Sequence, residues 1–381
     1  MVAIIEKKRR KFRWFWIGLA AMSVLSGLAT SAKPAKAAVG TSIPDLSEWQ
    51  GALTATEVKN LKKTVPFVIL RVQYGSDYKD KDFATSAALC KKYGLKYGVY
   101  SFSQYSSTAD AKTEAKDLYS RAPDAKFYVN DYEDQTVTSG TTNSATAAWY
   151  TALRAKAPHK RILFYSYNSF ATEYANTAMK NYDGYWLAAY QSTEPTTAHV
   201  LWQYTDDWHS TALGQYVDAS KKHGKNESWF LSSRAISYNK TVTASKAGYS
   251  IWRSLMFTSS KGKTKLGTDY TAKYYYDHYN GRTYYSLYNK NGTWVGYVNK
   301  NALTTLTAKA YAHTATFTKS GYRLWSSLMF KTVKHTSTSL MNKSYTIKYR
   351  YVCGNGTTYY SVYDGSTWMG YVNAHAMTVS D

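Results

Sequence analysis

Lys126-Phe127-Tyr128-Val129-Asn130-Asp131-Tyr132-Glu133 is an apolar run that closes on two acids. Its length and its aromatic and β-branched content are those of a buried strand, so residues 127–132 are read as one. Residues two apart on a strand share a face, which sets Asp131 and Glu133 about 6.5–7 Å apart at the backbone. Two carboxylates that close resist simultaneous ionisation. One pKa is therefore expected to rise, which suits a group that must hold a proton near neutrality. In a polar tract the same Asp-x-Glu would be a solvated loop, whereas here a strand delivers both acids to the edge of a core.

Outward from this run, strand-like segments at 43–47, 67–74, 97–102, 162–167, 185–189 and 200–204 alternate with amphipathic stretches at 55–63, 83–93, 109–120 and 144–157. Alternation of this kind implies a parallel sheet, closed as a barrel or open. The helical signal fades after residue 180, so the last strands are expected to be joined by loops. In a parallel barrel every strand's C-terminal end opens onto one face, where carboxylates distant in sequence meet. Asp45 lies in the first run, Asp131 and Glu133 end the fourth, and Asp218 follows the last. A glycosidase needs such a set: one carboxyl kept protonated for the leaving oxygen, another negative group for an oxocarbenium-like transition state. Tyr100, Tyr165, Tyr190 and Gln203 fall on or just past strand ends and are read as lining a sugar cleft. Trp186 and Trp202 fit either that role or a core position with the indole N–H satisfied. Asp206 and Asp207 read as solvated turn residues.

Residues 248–303 and 321–377 form a repeat. Gly248-Tyr249-Ser250-Ile251-Trp252-Arg253-Ser254-Leu255-Met256-Phe257 returns as Gly321-Tyr322-Arg323-Leu324-Trp325-Ser326-Ser327-Leu328-Met329-Phe330, and Gly296-Tyr297-Val298-Asn299 as Gly370-Tyr371-Val372-Asn373. Each unit alternates aromatic and polar residues in short runs with Asn291-Gly292 or Gly354-Asn355-Gly356 turns, so two small β modules are expected.

The chain has 381 residues, too many for a single core, and 38 of them are tyrosine. Its formal net charge is +23, unevenly placed: residues 241–381 hold 17 Lys and Arg against 4 Asp, residues 41–240 hold 23 against 20 acids. The start has basic residues from Lys7 to Arg13, an apolar run from Phe15 to Leu28 and Ala35-Lys36-Ala37, which reads as an export signal cleaved after residue 37. A retained anchor is disfavoured because the run is shorter than the roughly 20 residues a spanning helix needs. Cys90 and Cys353 lie in different predicted domains, so no disulfide framework is expected. The eight histidines are scattered without an HExxH or paired-Cys spacing, so neither a metal nor a cofactor is expected.

Taken in order, Asp45-Leu46-Ser47-Glu48-Trp49-Gln50-Gly51, Gly98-Val99-Tyr100-Ser101-Phe102, Asp131-Tyr132-Glu133, Trp186-Leu187-Ala188-Ala189-Tyr190, Trp202-Gln203-Tyr204-Thr205 and Val217-Asp218 resemble family-25 glycoside hydrolases, lysozymes of the N-acetylmuramidase type. The resemblance spans roughly residues 41–225. It implies an α/β, irregular TIM-like barrel with fewer helices than strands, and hydrolysis of the β-1,4 bond between N-acetylmuramic acid and N-acetylglucosamine in peptidoglycan. It also implies Glu133 as general acid/base and Asp131 as its partner, acting either as nucleophile or by orienting the substrate's acetamido group. Asp45 and Asp218 become the outer carboxylates of the cleft. The chain departs from the family pattern after Asp218, where Ala219-Ser220 stands in place of an Asn two residues on.

The repeats resemble bacterial SH3-like wall-binding modules of the GW type, with Gly-Tyr-Val near the end of each unit and Trp294 or Trp368 two residues before that Gly. Their basic surface implies teichoic or lipoteichoic acid as partner. Nucleic acid, the generic partner of such a surface, is disfavoured by export. The expected organisation is a signal peptide at 1–37, a hydrolase barrel at 41–235, and SH3-like repeats at 245–307 and 318–381. The expected protein is a secreted, wall-associated monomer of a Gram-positive organism, with no membrane insertion after signal cleavage. An inactive wall-bound adhesin is the alternative, and the presence of all four acids argues against it.

Overall fold

The structure, a computed structural model, describes residues 40–380. The expected export signal at 1–37 lies outside the described residues. No helix among the described residues is long and apolar enough to cross a membrane.

The first half is built from β1 (Ile43–Leu46), α1 (Ala55–Thr64), β2 (Val68–Tyr74), β3 (Tyr78–Lys79), α2 (Phe83–Tyr93), β4 (Tyr97–Phe102), α3 (Thr108–Arg121), β5 (Phe127–Asp131), α4 (Thr142–Lys156), β6 (Arg161–Tyr167), α5 (Asn168–Tyr174), β7 (Gly184–Ala188), β8 (Leu201–Ser210), β9 (Gln215–Lys222) and α6 (Glu227–Leu231). The strands pair in the order β1, β2, β4, β5, β6, β7, β8, β9 and back to β1, closing a barrel of eight with β3 as a short appendage on β2. Three of the helices start where the sequence supplies caps of the Ser/Thr type. Thr54 and Glu57 form a reciprocal capping box on α1, and Ser107 and Thr141 cap α3 and α4. Their apolar stripes, Val58 and Leu61 on α1 or Ala145, Trp149 and Leu153 on α4, pack into one outer core cluster that also holds Val68, Leu70, Val99, Tyr128 and Phe164 of the strands.

One strand corrects the all-parallel expectation. β9 runs antiparallel to both β8 and β1, while the other seven barrel strands run parallel. No helix separates β8 from β9; a turn ending at Gly214, with φ at 65°, joins them, and so short a link can only reverse the chain. Asp218 accordingly lies within a strand and does not follow the last one. Asp206 and Asp207, read as a turn, are exposed residues of β8 where its register to β9 shifts between Thr205 and Trp208.

Period-two alternation divides the barrel interior into two layers. Ile43, Phe67, Ile69, Phe127, Val129, Leu163, Trp186 and Leu201 form an apolar floor, closed from below by Phe230 and Leu231 of α6. Two residues further toward the strand ends the same rows become polar: Asp45 follows Ile43, Arg71 follows Ile69, Asp131 follows Val129, Tyr165 follows Leu163, and Gln203 follows Leu201. Gly98 makes room for the floor, since a Cβ there would sit 2.2 Å from the Phe127 ring.

The C-terminal part holds two seven-stranded antiparallel sheets. The first has β10 (Ile236–Ala244), β11 (Ser250–Trp252), β12 (Ser260–Lys263), β13 (Asp269–Asp277), β14 (Thr283–Tyr288), β15 (Trp294–Asn299) and β16 (Leu303–Thr305), in spatial order β12-β11-β15-β14-β13-β10-β16. The second has β17 (Lys309–Phe317), β18 (Arg323–Trp325), β19 (Val333–Thr336), β20 (Ser344–Val352), β21 (Thr358–Asp364), β22 (Thr367–Asn373) and β23 (Met377–Ser380), in the same order shifted by seven. The repeat therefore extends to topology, and the first strand of each sheet lies ahead of the recurring motif. Even the backbone specials recur: Phe257 and Phe330 adopt φ of 57° and 55°. The first sheet meets the barrel at its floor end. Tyr279 packs on the floor cluster, and Ser233, just past α6, exchanges hydrogen bonds with the Asp277 backbone.

Candidate active site

At the C-terminal ends of the parallel strands the polar layer forms one connected cluster. β1 and β9 pair Asp45 directly with Asp218, and because β9 is antiparallel this register sets both acids at the same end. Gln203 on β8 donates from Nε2 to both Asp45 oxygens, at 3.2 and 3.1 Å. Its Oε1 accepts from the Tyr165 hydroxyl at 2.7 Å and the Tyr190 hydroxyl at 2.9 Å. Asp131 ends β5 in register with Phe102 and Tyr165, and Glu133 lies just beyond, half-buried, with its carbonyl accepting from the Tyr167 hydroxyl at 3.2 Å.

Burial and like charge act together on these acids. The Asp131 carboxyl is raised well above the ordinary aspartate range, first by burial, then by the charges of Glu133 and Asp45. Asp45 is raised too, by burial and by Asp218, against the lowering hydrogen bond from Gln203. Burial likewise pushes the Tyr100 and Tyr165 hydroxyls up, so both remain donors. Asp131 Oδ1 is buried with no hydrogen-bond partner among the described residues. A buried acceptor left open in a set of carboxylates marks a place where a ligand's donor would be stabilised.

Residues 44–212 match the model of the family described as Glycosyl hydrolases family 25. The barrel carries a family 25 glycosyl hydrolase domain. The protein is therefore a glycoside hydrolase. Solved structures similar to it include the catalytic domain of endolysin ply40 from bacteriophage P40 of Listeria monocytogenes, 24% identical over 48% of this chain and 93% of that one with a TM-score of 0.45. A glycosyl hydrolase 25 of Streptococcus pneumoniae is 20% identical over 50% and 92%, TM-score 0.45, and a family 25 glycosyl hydrolase from Bacillus anthracis 18% identical over 53% and 98%, TM-score 0.42. No curated protein matches the chain.

Within the barrel, Asp45, Asp131, Glu133, Tyr100, Tyr165, Tyr190 and Gln203, and Asp218 beyond the matched residues, all stand in the layer above the floor. Trp186 does not. It is 2% exposed in the floor cluster and donates its indole N–H to Ser220 at 2.9 Å, which makes it the wall beneath the cleft and withdraws it from sugar stacking. Trp202 likewise donates to the Ala189 carbonyl at 2.7 Å, on the rim strand.

Some residues of this end escaped the sequence reading. Arg71, the one cation in the apolar run of β2, pairs with Asp80 at 2.9 Å and Glu48 at 3.3 Å, and its charge lowers the Asp131 pKa against the other effects. The signal was present, since an Arg inside Val-Ile-Leu-Arg-Val must be paired if buried. Among the described residues, the barrel's exposed large apolar side chains are Trp49, Tyr78, Tyr167, Tyr190 and Tyr216. Trp49 follows β1, Tyr78 follows β2, Tyr167 ends β6, Tyr190 follows β7 and Tyr216 begins the reversed β9, so all rim the carboxylate end.

Proposed function

We propose that the protein is an exported N-acetylmuramidase, acting as a monomer on peptidoglycan in a Gram-positive wall and cutting the β-1,4 bond between N-acetylmuramic acid and N-acetylglucosamine with retention. The observation that carries this reading is the carboxylate cluster, with Asp45 and Asp131 buried, at the aromatic-rimmed mouth. Glu133 gives its proton to the glycosidic oxygen as the C1–O bond breaks. The acetamido oxygen of the substrate closes on C1, and Asp131, ionised in the state in which Glu133 carries the pair's proton, accepts the acetamido N–H and steadies the positive charge that forms. Glu133 then takes a proton from the water that opens this ring, which restores the starting state. Asp45, held by Gln203, and Asp218 bound the cleft, while Tyr100 and Tyr165 donate to the sugar.

In the same reading the C-terminal sheets are SH3-like wall-binding modules whose cations take teichoic or lipoteichoic acid. What supports it is their excess of 17 cations over 4 acids and the duplication of one surface cluster. Lys261 lies 4.6 Å over Trp294 and Lys334 4.4 Å over Trp368, each Trp edge-on to Tyr297 or Tyr371.

The deciding experiment measures new reducing ends released from purified peptidoglycan by wild type and Glu133→Gln. Loss of about 10²- to 10⁴-fold, with muramic acid as the new reducing sugar, is expected. Equal release by both proteins would sink the assignment, as would an N-acetylglucosamine end.

A further inference from the structure

The hairpin that brings Gln203 and Asp218 to the mouth carries a second polar cluster at its opposite end. β8 begins and β9 ends with Leu201 opposite Lys222, and the pairing continues one step outward through the His223 N–H to the Val200 carbonyl at 3.0 Å. This sets His199 and His223 side by side, ring centroids 4.6 Å apart. Glu194, on the connection from β7, turns one oxygen to both: Oε1 is 3.1 Å from His199 Nε2 and 2.7 Å from His223 Nδ1. The three ligand atoms all lie within 4.8 Å of one another.

The protonation pattern of His199 makes the cluster informative. Its side chain is 1% exposed, and Nδ1 lies 2.6 Å from the Thr197 carbonyl. A carbonyl can only accept, so Nδ1 carries the hydrogen. Nε2 of the neutral ring then turns a lone pair toward a carboxylate oxygen, and two acceptors at that distance need positive charge between them. A proton on Nε2 or a bound cation would supply it. A divalent cation held by His199 Nε2, His223 Nδ1 and the Glu194 oxygen meets all three ligand atoms at once. An N–H donated to a backbone carbonyl is also how a metal-binding imidazole is held in one tautomer.

We propose that Glu194, His199 and His223 form a zinc site. Two imidazole nitrogens and one carboxylate oxygen suit zinc and disfavour magnesium and calcium, which take all-oxygen sets. Water completes a tetrahedron. The ion takes no part in hydrolysis, because His223 is five residues along β9 from Asp218, about 16 Å at strand rise. Its role is to pin the return leg of the 189–200 connection. The outgoing leg of that connection reaches the mouth, where the Ala189 N–H meets the Gln203 carbonyl at 3.1 Å and the Tyr190 hydroxyl meets the Gln203 side chain. Nothing in the spacing of residues 194, 199 and 223 announces this site; it exists only through the antiparallel register of β8 and β9.

The test uses the full chain stripped with a chelator, titrated calorimetrically with zinc chloride, and with cobalt chloride while visible absorption is followed. His223 is about half exposed, so His223→Ala leaves packing intact, and Glu194→Gln keeps the side chain's shape. One zinc per chain, tetrahedral cobalt absorption, and a melting temperature that rises with zinc but with neither magnesium nor calcium are expected for wild type. His223→Ala should weaken zinc binding by about a hundredfold or more, the upper end of what losing a group that merely orients a ligand costs. Absence of zinc binding by wild type, or undiminished binding by both variants, overturns the proposal and leaves a histidine–glutamate ion pair.

Discussion

In the barrel the acids are buried and the exposed aromatics stand at one end; in the C-terminal sheets the cations are exposed or half-buried and lie across aromatic rings. Asp45 and Asp131 are nearly inaccessible; beyond that burial, Asp45 helps raise the pKa of Asp131, and Asp218 and Glu133 help raise that of Asp45. Lys261 and Lys334 are exposed and Lys273 and Lys348 half-buried, all 4.1 to 4.6 Å over Trp294, Trp368, Tyr288 and Tyr363. The first arrangement concentrates unfavourable charge at one place, and the fold tolerates it because the barrel's floor and helices hold the strands regardless. The second spreads weak, screened attraction over two equivalent surfaces. A single substitution should therefore abolish the function of the first region and only thin that of the second.

Asp131→Asn probes the first half of this contrast and carries the largest expected effect. Turnover should fall by about 10²- to 10⁴-fold. Stability should move the other way. The folded-state pKa of Asp131 is raised, so between the ordinary aspartate value of about 3.9 and that raised value the folded protein binds more protons than the unfolded chain. Stability from this group is thus fully present below about pH 3.9 and is lost as pH rises through the raised value. The Asn variant should lose that slope and be the more stable protein at neutral pH. Chemical denaturation of both proteins across this range reads it directly. An Asn variant that is less stable than wild type at pH 7 would mean the cluster stabilises the fold, and the contrast would fail.

How far this layout could be read from sequence depends on the range of the interactions behind it. Alternation and amphipathic spacing are local, so α2 and β4 begin and end where the sequence predicts, and the other predicted barrel strands and long helices agree to within a few residues except β8, which runs on to Ser210; β9 was not predicted. Asp131 and Glu133 were legible for the same reason, at the end of a recognisable run, and Asp45 within one, whereas Asp218 lay outside every predicted run. Direction is not local: the 215–222 strand carries only a short alternating pattern, and its antiparallel pairing, hence the Asp45–Asp218 register and the Glu194–His199–His223 cluster, appears only in the closed sheet. Trp186 was ambiguous because a strand residue's depth along the barrel decides between wall and cleft. Gly98 illustrates the reverse case, a constraint of the floor invisible in one sequence. Gly98→Ala should cost about 1–3 kcal/mol by overpacking Phe127, with loss of activity following the loss of folded protein and kcat per folded molecule unchanged. Thermal melting and active-site titration separate the two. A drop in kcat at full folding would show that the floor also positions the acids.

The second half of the contrast carries the smallest effects and needs a double variant. Lys261 also donates to the Trp294 carbonyl at 3.2 Å and Lys334 to the Trp368 carbonyl at 3.1 Å, so the two clusters match in hydrogen bonding as well as in ring geometry. If both bind the same wall polyanion, Lys261→Ala and Lys334→Ala should each weaken sedimentation of the full chain with purified walls by about two- to fivefold. The two losses should be similar, and the double variant should lose more than either, because tandem weak sites act through avidity. Raised salt should weaken wild type more than the double variant, since fewer exposed charges remain to be screened. Walls stripped of teichoic acid should bind all forms alike. A single lysine accounting for the whole loss would instead assign binding to one sheet and leave the other as a structural copy, and the contrast between one concentrated site and two dispersed ones would become a contrast between two single sites.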